Sequence, residues 1–547
     1  MNKILITGGV AGGATAAARA RRLDETAEII LFERGEYISF ANCGLPYYIG
    51  GTIENRDDLL VTTKDDFMQR YNIDIRNFCE IITIDRDNKK IEACDVLTGK
   101  KYFESYDKLI LSPGAEPVLP PIRGIDSVTV FTLRNLPDTD RIKSFIDDEK
   151  PEAAVIIGGG FIGLEMAENL LHKGVRVTIV ELADQVMTSL DKEMASMIHE
   201  YLLGKNVDLE LGNGVTEFLK EDGRVCVITG SGKKIICDFV IMSAGIKPEN
   251  RLAVESGLKT GVNGGIIVDD LMQTSDPDIF AVGDAVETKN FISNNRVMLP
   301  LAGPANKQGR IAADNVSGRS SSFKGIIGTS VAKILDLTVA STGQNEKILK
   351  TDGVPYLKSY TYSGSHASYY PGSEGMAIKL LFSKDNGQVL GAQIVGGKGV
   401  DKRIDVIATA IKGRLTIYDL EELELAYAPP YSSAKDPVNI AGFVAGNILK
   451  GDVETVYPDE IEDLIAKEHI LLDLRTEEEL RESGKIPGSL NIPIDELRER
   501  LHELNQSQKY ILYCAIGLRG YIAWRILSQK GFKMKNLSGG FLMYNYT

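Results

Sequence analysis

Two glycine loops hold residue types whose spacing can do chemistry. Gly158-Gly159-Gly160-Phe161-Ile162-Gly163 is a full GxGxxG, set after the apolar run AAVII and before a helical stretch. Glycines so placed allow a tight turn, close approach of a pyrophosphate and close helix–strand contact, while the helix N-terminus stabilises the phosphates. Gly158, Gly160, Phe161, Ile162 and Gly163 are therefore candidate dinucleotide contacts. Glu181 ends the next strand, where an acid binds ribose hydroxyls; a free 2′-hydroxyl suits it better than a 2′-phosphate, which favours NADH and leaves NADPH open. The chain opens with the same grammar in imperfect form: Gly8-Gly9-Val10-Ala11-Gly12-Gly13 has valine where the middle glycine belongs. Glu33, followed by Arg34, ends the strand after it.

The cysteines give a second chemistry. Cys43, Cys79, Cys94, Cys226, Cys237 and Cys514 form no CxxC and no metal-ligand spacing, which suits a reducing cytoplasm and predicts no metal site. An isolated cysteine is ordinarily a small buried hydrophobe. Cys514 departs from that default, because the strand YILYC delivers it into the loop Ala515-Ile516-Gly517-Leu518-Arg519 before a helix. Such a loop turns its N–H groups inward as an anion cradle and lowers a thiol pKa, and Arg519 adds a fixed positive charge. A thiolate or its persulfide is at home there.

These residues must be positioned by several domains, since 547 residues exceed one core. Two βαβ openings about 150 residues apart imply two nucleotide-binding units. From about Lys324 to Ile448, alternating stretches such as YLKSYTY and AIKLLFS predict an antiparallel sheet with packed helices. KGDVETVYPDE (Lys450 to Glu460) reads as a linker to a final α/β unit. The net charge of −14 and pI near 5.1 argue against nucleic acid or an anionic membrane as the main partner. No apolar run is long enough for a membrane helix, and Met-Asn-Lys runs straight into a strand, so no signal peptide is expected and the chain is read as cytoplasmic.

Further segments carry a resemblance. SPGAEP, with Ser112, Pro113 and Gly114, and SAGIKPEN, with Gly245, resemble the crossover segments of two-dinucleotide flavoproteins; TSDPDIFAVGDA resembles their second FAD contact, with Asp284 on the ribityl chain. The implied fold class is α/β: two Rossmann-like domains, an α+β dimerisation domain and an α/β rhodanese domain. The expected boundaries are 1–112 with 246–323 for FAD, 113–245 for NAD(P)H, 324–447 for dimerisation and 455–547 for the last domain. Gly8, Gly9, Ala11, Gly12, Gly13, Glu33 and Arg34 then become FAD contacts.

Within YISFANCGLPYYIGG, Ser39, Phe40, Cys43 and Pro46 match the SFxxCxxP segment of coenzyme A-disulfide reductases and their persulfide- and polysulfide-reducing relatives. The resemblance implies that Cys43 is the single redox thiol and the substrate supplies the second sulfur. It implies coenzyme A contacts at Arg19, Arg22, Ser39, Asn42 and Lys435. It also implies a homodimer with composite sites, in which Tyr369 and Tyr427 reach the partner's cysteine; the adjacent Tyr370 leaves the choice within that pair open. A phenol there replaces the His–Glu pair of glutathione-reductase-type enzymes, which this chain lacks: His366 is the only histidine between His199 and His469.

HILLDLRTEEELRESGKIPGSLNIP is similar to the opening of rhodanese domains, with Lys485 in place of the usual histidine. Four residues separate Cys514 from Arg519, the sulfurtransferase length, where phosphatases have five. The expected activity is reduction of coenzyme A persulfide, polysulfide or coenzyme A disulfide, with sulfane sulfur carried on Cys514. One alternative is an NADH oxidase or peroxidase cycling through a cysteine sulfenic acid, although Val10-Ala11 stand where its peroxidases carry a histidine. Another is a redox-sensing module that reports sulfur status to a partner protein.

Overall fold

The structure is a computed structural model that describes residues 2–547. Two compact units make it up: Met1–Asp184 with Asn206–Ile326, and Gln185–Lys205 with Ile327–Thr547. Among the described residues no helix is long and apolar enough to cross a membrane.

The first unit contains two five-stranded sheets whose strands all run parallel. One has the order Ile279–Ala281, Lys108–Leu111, Lys3–Thr7, Glu28–Glu33, Asp74–Asn77; the other Asp208–Glu210, Arg176–Val180, Ala153–Ile157, Phe239–Met242, Val130–Phe131. Parallel strands covered on both faces need continuous apolar runs, and Ile4, Leu5, Ile6, Val155 and Ile156 are fully buried. Helices Ala11–Leu23 and Phe161–His172 leave the central strand of each sheet. The first of them is alanine-rich and lies close to helix Ala302–Val316: a Cβ on Gly309 would fall 2.3 Å from the Gly12 carbonyl. The expected crossovers pair with each other, Ala115–Pro117 running antiparallel to Ile246–Pro248.

The second unit bears out the antiparallel sheet, in the order Ser330–Ile334, Leu337–Gly343, Val389–Gly396, Gly375–Ser383, Tyr356–Gly364. A separate parallel sheet holds Thr455–Val456, Lys533–Leu537, Lys509–Tyr513, His469–Asp473 and Leu490–Asn491.

One feature differs from the sequence reading. Lys450–Glu460 is not a free linker: Asp452 accepts from Arg525 at 2.8 Å, Glu454 from Lys535 at 2.6 Å, and Thr455–Val456 is a strand of the terminal sheet. Its charges have partners far along the chain, which a local composition cannot reveal. Helix Lys192–Gly204 lies within the second unit. An ion network holds it there. Fully buried Lys379 lies 2.7 Å from Asp191 and also pairs with Glu193 and Glu346, while the Tyr360 hydroxyl donates to Glu193 at 2.6 Å. Asp191, Glu193 and Glu346 converge closely enough to hold a cation, and the Lys379 ammonium is that cation.

Lys379 and Lys358 hold the Glu346 carboxyl at about 2 against its burial. A depressed pKa contributes stability that is complete above the unfolded value, near 4.5, and is lost as pH falls toward 2. Lys379→Met leaves three carboxylates facing one another, and the expected cost is about 3–5 kcal/mol in urea unfolding at neutral pH. A loss under about 1 kcal/mol, the scale of an exposed pair, would show that the network does not hold the helix.

Candidate functional site

Each glycine loop is shaped by contacts a side chain would forbid. Gly8 has φ +80°, and a Cβ there would lie 2.0 Å from the Ser112 carbonyl; one on Gly13 would lie 1.9 Å from the Gly8 carbonyl. The second loop repeats this, with Gly158 (φ +109°) 2.3 Å from the Ser243 carbonyl and Gly163 2.0 Å from that of Gly158. The expected acids are in place as well. Glu33 accepts the N–H of Gly9 at 2.8 Å and of Gly35 at 2.8 Å; Glu181 accepts from Gly159 at 2.7 Å and Ala183 at 2.9 Å. Val10 takes the middle-glycine position with φ −97°, a backbone any residue tolerates. A Cβ on Gly160 or Gly245 would meet open space, so backbone is accessible to a ligand there. Both loops fit a dinucleotide.

Asp284 follows Gly283, whose N–H donates to Gln308 at 2.9 Å. Burial pushes the Asp284 carboxyl up and Arg134 pulls it down. Arg134 was missed by the sequence reading. Its guanidinium has its own pKa lowered, first by burial and then by Arg34, against the attraction of Glu116, Glu249 and Glu33. It is a cation among Glu116, Glu249 and Glu33, drawn from the crossovers and the first nucleotide loop, and a lone Arg in FTLRNLP gives no signal of that.

Cys43 is delivered by the turn Asn42–Gly44 at the head of helix Leu45–Gly50, whose Leu45, Pro46 and Ile49 are buried. The segment is tied to the first loop by Ser39, which holds φ +47° and donates its N–H to the Gly9 carbonyl at 2.8 Å. Its helix lies against Phe161–His172, so close that a Cβ on Gly50 would sit 2.1 Å from Asn169 Oδ1. Cys43 is the exposed cysteine of the six. Partial desolvation pushes its thiol pKa up, and the charges of Glu165 and Asp284 add to that. One acid belongs to the second loop's helix and the other to the segment after Ile279–Ala281, so a single thiol feels both nucleotide sites. Glu165, also missed from sequence, is raised to about 7 by burial and then by Glu168.

Of the basic residues on the first helix, Arg19 donates to Asp314 at 2.8 Å, and buried Arg21 donates to four backbone carbonyls. Arg22 is exposed, its guanidinium 5.9 Å from the Tyr71 ring centre. Asn42 and Lys435 are exposed too.

In the second unit the structure brings Tyr369 and Tyr427 together, their hydroxyls 2.7 Å apart, and the shared hydrogen bond raises the Tyr369 pKa. Tyr370 instead packs edge-on against His366 at 5.7 Å. His366 is structural: its Nε2 faces the Pro371 carbonyl at 3.2 Å, and its Nδ1 faces the Ser365 hydroxyl at 3.0 Å. The two tyrosine loops are pinned by buried Arg403, which donates to the Ser365 carbonyl (3.0 Å), the Ser432 hydroxyl (3.1 Å) and Asp436 (2.8 Å).

Cys514 is buried at the base of its loop, with the Gly517 N–H 3.2 Å from its sulfur. The loop is locked from behind: Cys514 and Ala515 carbonyls accept from Phe541 (2.8 Å) and Leu542 (3.0 Å). A Cβ on Gly540 would fall 2.4 Å from the Cys514 carbonyl. Lys485, in the place of a histidine, donates to the Ser489 carbonyl at 3.3 Å. Ile516 forms part of the wall of a cavity of about 790 Å³ that also touches Tyr201, Tyr362 and Tyr546.

Residues 2–309 match the family "Pyridine nucleotide-disulphide oxidoreductase", 329–437 its dimerisation domain and 457–545 the rhodanese-like domain. A coenzyme A disulfide reductase of Staphylococcus haemolyticus is 37% identical over 449 residues, spanning 82% of this chain and all of that protein. The crystal structure of reduced Bacillus anthracis CoADR-RHD is 52% identical with a TM-score of 0.97, covering 100% of this chain and 98% of that one. An NAD-dependent persulfide reductase from A. fulgidus is 39% identical with a TM-score of 0.93, covering 99% and 100%.

The electrostatics of Cys43 set a measurable expectation. Glu165→Gln removes a charge that opposes the thiolate, so the midpoint of the pH dependence of Cys43 alkylation moves down, by less than about one unit because desolvation remains. An unmoved or rising midpoint would place Glu165 out of reach of the thiol.

Proposed function

This chain belongs to the pyridine nucleotide-disulphide oxidoreductase family and carries a C-terminal rhodanese-like domain, and from that premise we propose that it reduces coenzyme A persulfide, polysulfide and coenzyme A disulfide through one redox cysteine, Cys43, with Cys514 carrying sulfane sulfur. It is an oxidoreductase of an FAD- and NAD(P)H-dependent family. The observation that supports the reading most is that Cys43 lies within electrostatic reach of acids from both nucleotide sites, where a thiol must be to exchange electrons with a cofactor between them.

Bound FAD, reduced by NAD(P)H, supplies the electron pair. The protein's own residues do the rest. The Cys43 thiolate attacks one sulfur of the substrate's S–S bond, which breaks; the other sulfur departs with the electron pair as a thiolate or hydrosulfide. The resulting Cys43–S–S–R bond takes up two electrons, releasing the second thiolate and restoring Cys43. Glu165, poised at about 7, holds or releases a proton beside that thiol at neutral pH. Ser39 and Asn42 hydrogen-bond the substrate arm, while Arg22 and Lys435 meet its phosphates. Arg19 acts less directly, being committed to Asp314.

The dimerisation domain supports a homodimer in which the Tyr369–Tyr427 pair reaches Cys43 of the partner subunit and returns a proton to the departing thiolate. A phenol whose pKa is raised by its neighbour keeps its proton until a strong base arrives. In Tyr369→Phe, kcat for disulfide and persulfide falls about 10²-fold, the lower end for a positioned acid, and KM changes little. An unchanged kcat would remove the tyrosine from the proton path.

Steady-state NADH oxidation against coenzyme A disulfide, coenzyme A persulfide, polysulfide, oxygen and peroxide, with hydrosulfide measured in parallel, tests the assignment. Cys43→Ser is expected to lose turnover with every sulfur acceptor. Cys514→Ser keeps coenzyme A disulfide turnover and loses sulfur transfer from thiosulfate or persulfide to cyanide. Fast turnover with oxygen or peroxide alone would replace this reading with an oxidase or peroxidase.

A further inference from the structure

A sulfur-carrier loop ending in arginine presents one fixed cation to incoming donors. Here that cation is already engaged. Both terminal nitrogens of Arg519 donate to the two oxygens of Glu479, at 2.7 and 2.6 Å. Glu479 is itself held in place: its Oε2 accepts the Thr476 N–H at 2.9 Å and the Thr476 hydroxyl at 3.3 Å, and its own N–H donates back to that hydroxyl at 3.3 Å. This capping box opens helix Glu477–Ser483, which adds Glu477, Glu478 and Glu482 against one Arg481. Arg519 holds the Glu479 carboxyl at about 2, so it is charged at every physiological pH. The loop's other outward side chains are apolar, Ile516 and Leu518, both exposed.

The surroundings of Cys514 therefore sum differently from an open anion cradle. Both terminal nitrogens of the guanidinium, one of the forks that would bind a sulfonate bidentately, are paired with a carboxylate, next to an acidic helix and two aliphatic side chains. A small inorganic dianion meets there a cation already paired with a carboxylate, beside a helix that adds further carboxylates. An organic persulfide presents one charge at the sulfur that reaches Cys514 and carries any others at the far end of its carbon arm, which can lie on Ile516 and Leu518. We propose that Glu479 is a specificity-determining residue that turns Cys514 away from dianionic inorganic donors such as thiosulfate and toward organic persulfides.

The inference rests on the reading of Cys514 as a sulfur carrier. For either donor the step is the same. The Cys514 thiolate attacks the sulfane sulfur, a new S–S bond forms, and the donor's S–S bond breaks. Its leaving group, sulfite from thiosulfate or a thiolate from an organic persulfide, departs with the electron pair. No external oxidant or reductant is required.

The test uses the full-length holoenzyme, with sulfur transfer to cyanide from thiosulfate and from glutathione persulfide. Glu479→Gln keeps an oxygen acceptor for the Thr476 cap and removes the charge. The expected result is a rise of about tenfold or more in kcat/KM for thiosulfate, carried by KM, with glutathione persulfide changing less than about threefold. Parallel changes for both donors would mark Glu479 as a positioning residue for the loop, and an unchanged thiosulfate KM would also overturn the proposal. Should the variant fold poorly, the unaltered protein gives the same answer: screening by salt raises kcat/KM for thiosulfate if the mouth repels it and lowers it if the mouth attracts it. Transfer that persists in Cys514→Ser would sink the carrier reading itself, a failure distinct from that of Glu479.

Discussion

A carboxylate at the end of one parallel strand, accepting the N–H of the glycine loop that ends the neighbouring strand, is the constraint on which the nucleotide-binding unit depends. It occurs twice, Glu33 on Gly9 and Glu181 on Gly159, at 2.8 and 2.7 Å. Each is a charge-assisted bond, about 1.5–3 kcal/mol net, and each carboxylate binds a second N–H just beyond its own strand. The loop is thereby fixed over the C-terminal edge of its sheet, where open α/β sheets bind ligands. Each oxygen has one protein donor and keeps a lone pair for a ribose hydroxyl. The Cys43 segment inherits this rigidity, because the Gly9 carbonyl accepts the Ser39 N–H. The strained φ of Ser39 is the local cost of that connection.

Arg403 plays the corresponding part in the second unit. A buried guanidinium must spend its donors on the protein, and this one spends them on a carbonyl and a hydroxyl from the two tyrosine loops and on the carboxylate that caps helix Pro437–Leu449. Burial and those hydrogen bonds oppose one another at Asp436, and the hydrogen bonds prevail, holding its pKa below the ordinary value. Tyr369 and Tyr427 are exposed, so little apolar packing positions them. Their separation is set from beneath.

What sequence made legible were the constraints that act within a few residues. A GxGxxG, an acid at a strand end, a cysteine and an arginine with four residues between them: each places atoms through local backbone geometry. The alternation of apolar residues between Lys324 and Ile448 likewise gave the antiparallel sheet, because period two is local. Choosing Tyr369 over Tyr370 required knowing which ring meets Tyr427, 58 residues away. Glu165 and Arg134 escaped notice because an acid or arginine on a helix or loop is ordinarily solvated, and only tertiary packing buries them. The Lys379 network joins positions from 191 to 379, too far apart for any local pattern to show. Lys450–Glu460 looked like a linker for the same reason, since its acids are matched by bases 73 and 81 residues later.

Cys43 and Cys514 stand in opposite surroundings. Cys514 is buried, met by a backbone N–H and within charge contact of Arg519, whereas Cys43 is exposed with acids for neighbours and a raised thiol pKa. Each unit of upward shift removes about tenfold of the thiolate at neutral pH, yet it raises the nucleophilicity of what remains by only about threefold, from a Brønsted slope near 0.4–0.5. The net effect is slower attack, by about threefold per unit, and correspondingly slower oxidation, since the thiolate is also the species that peroxide attacks. On the proposed reading of Cys43 as the one redox thiol, that exchange protects the site between turnovers. On that reading reactivity has to be restored locally, by a group that can take the thiol's proton near pH 7. Glu165, at about 7 and within electrostatic reach of Cys43, has a pKa matched to that task.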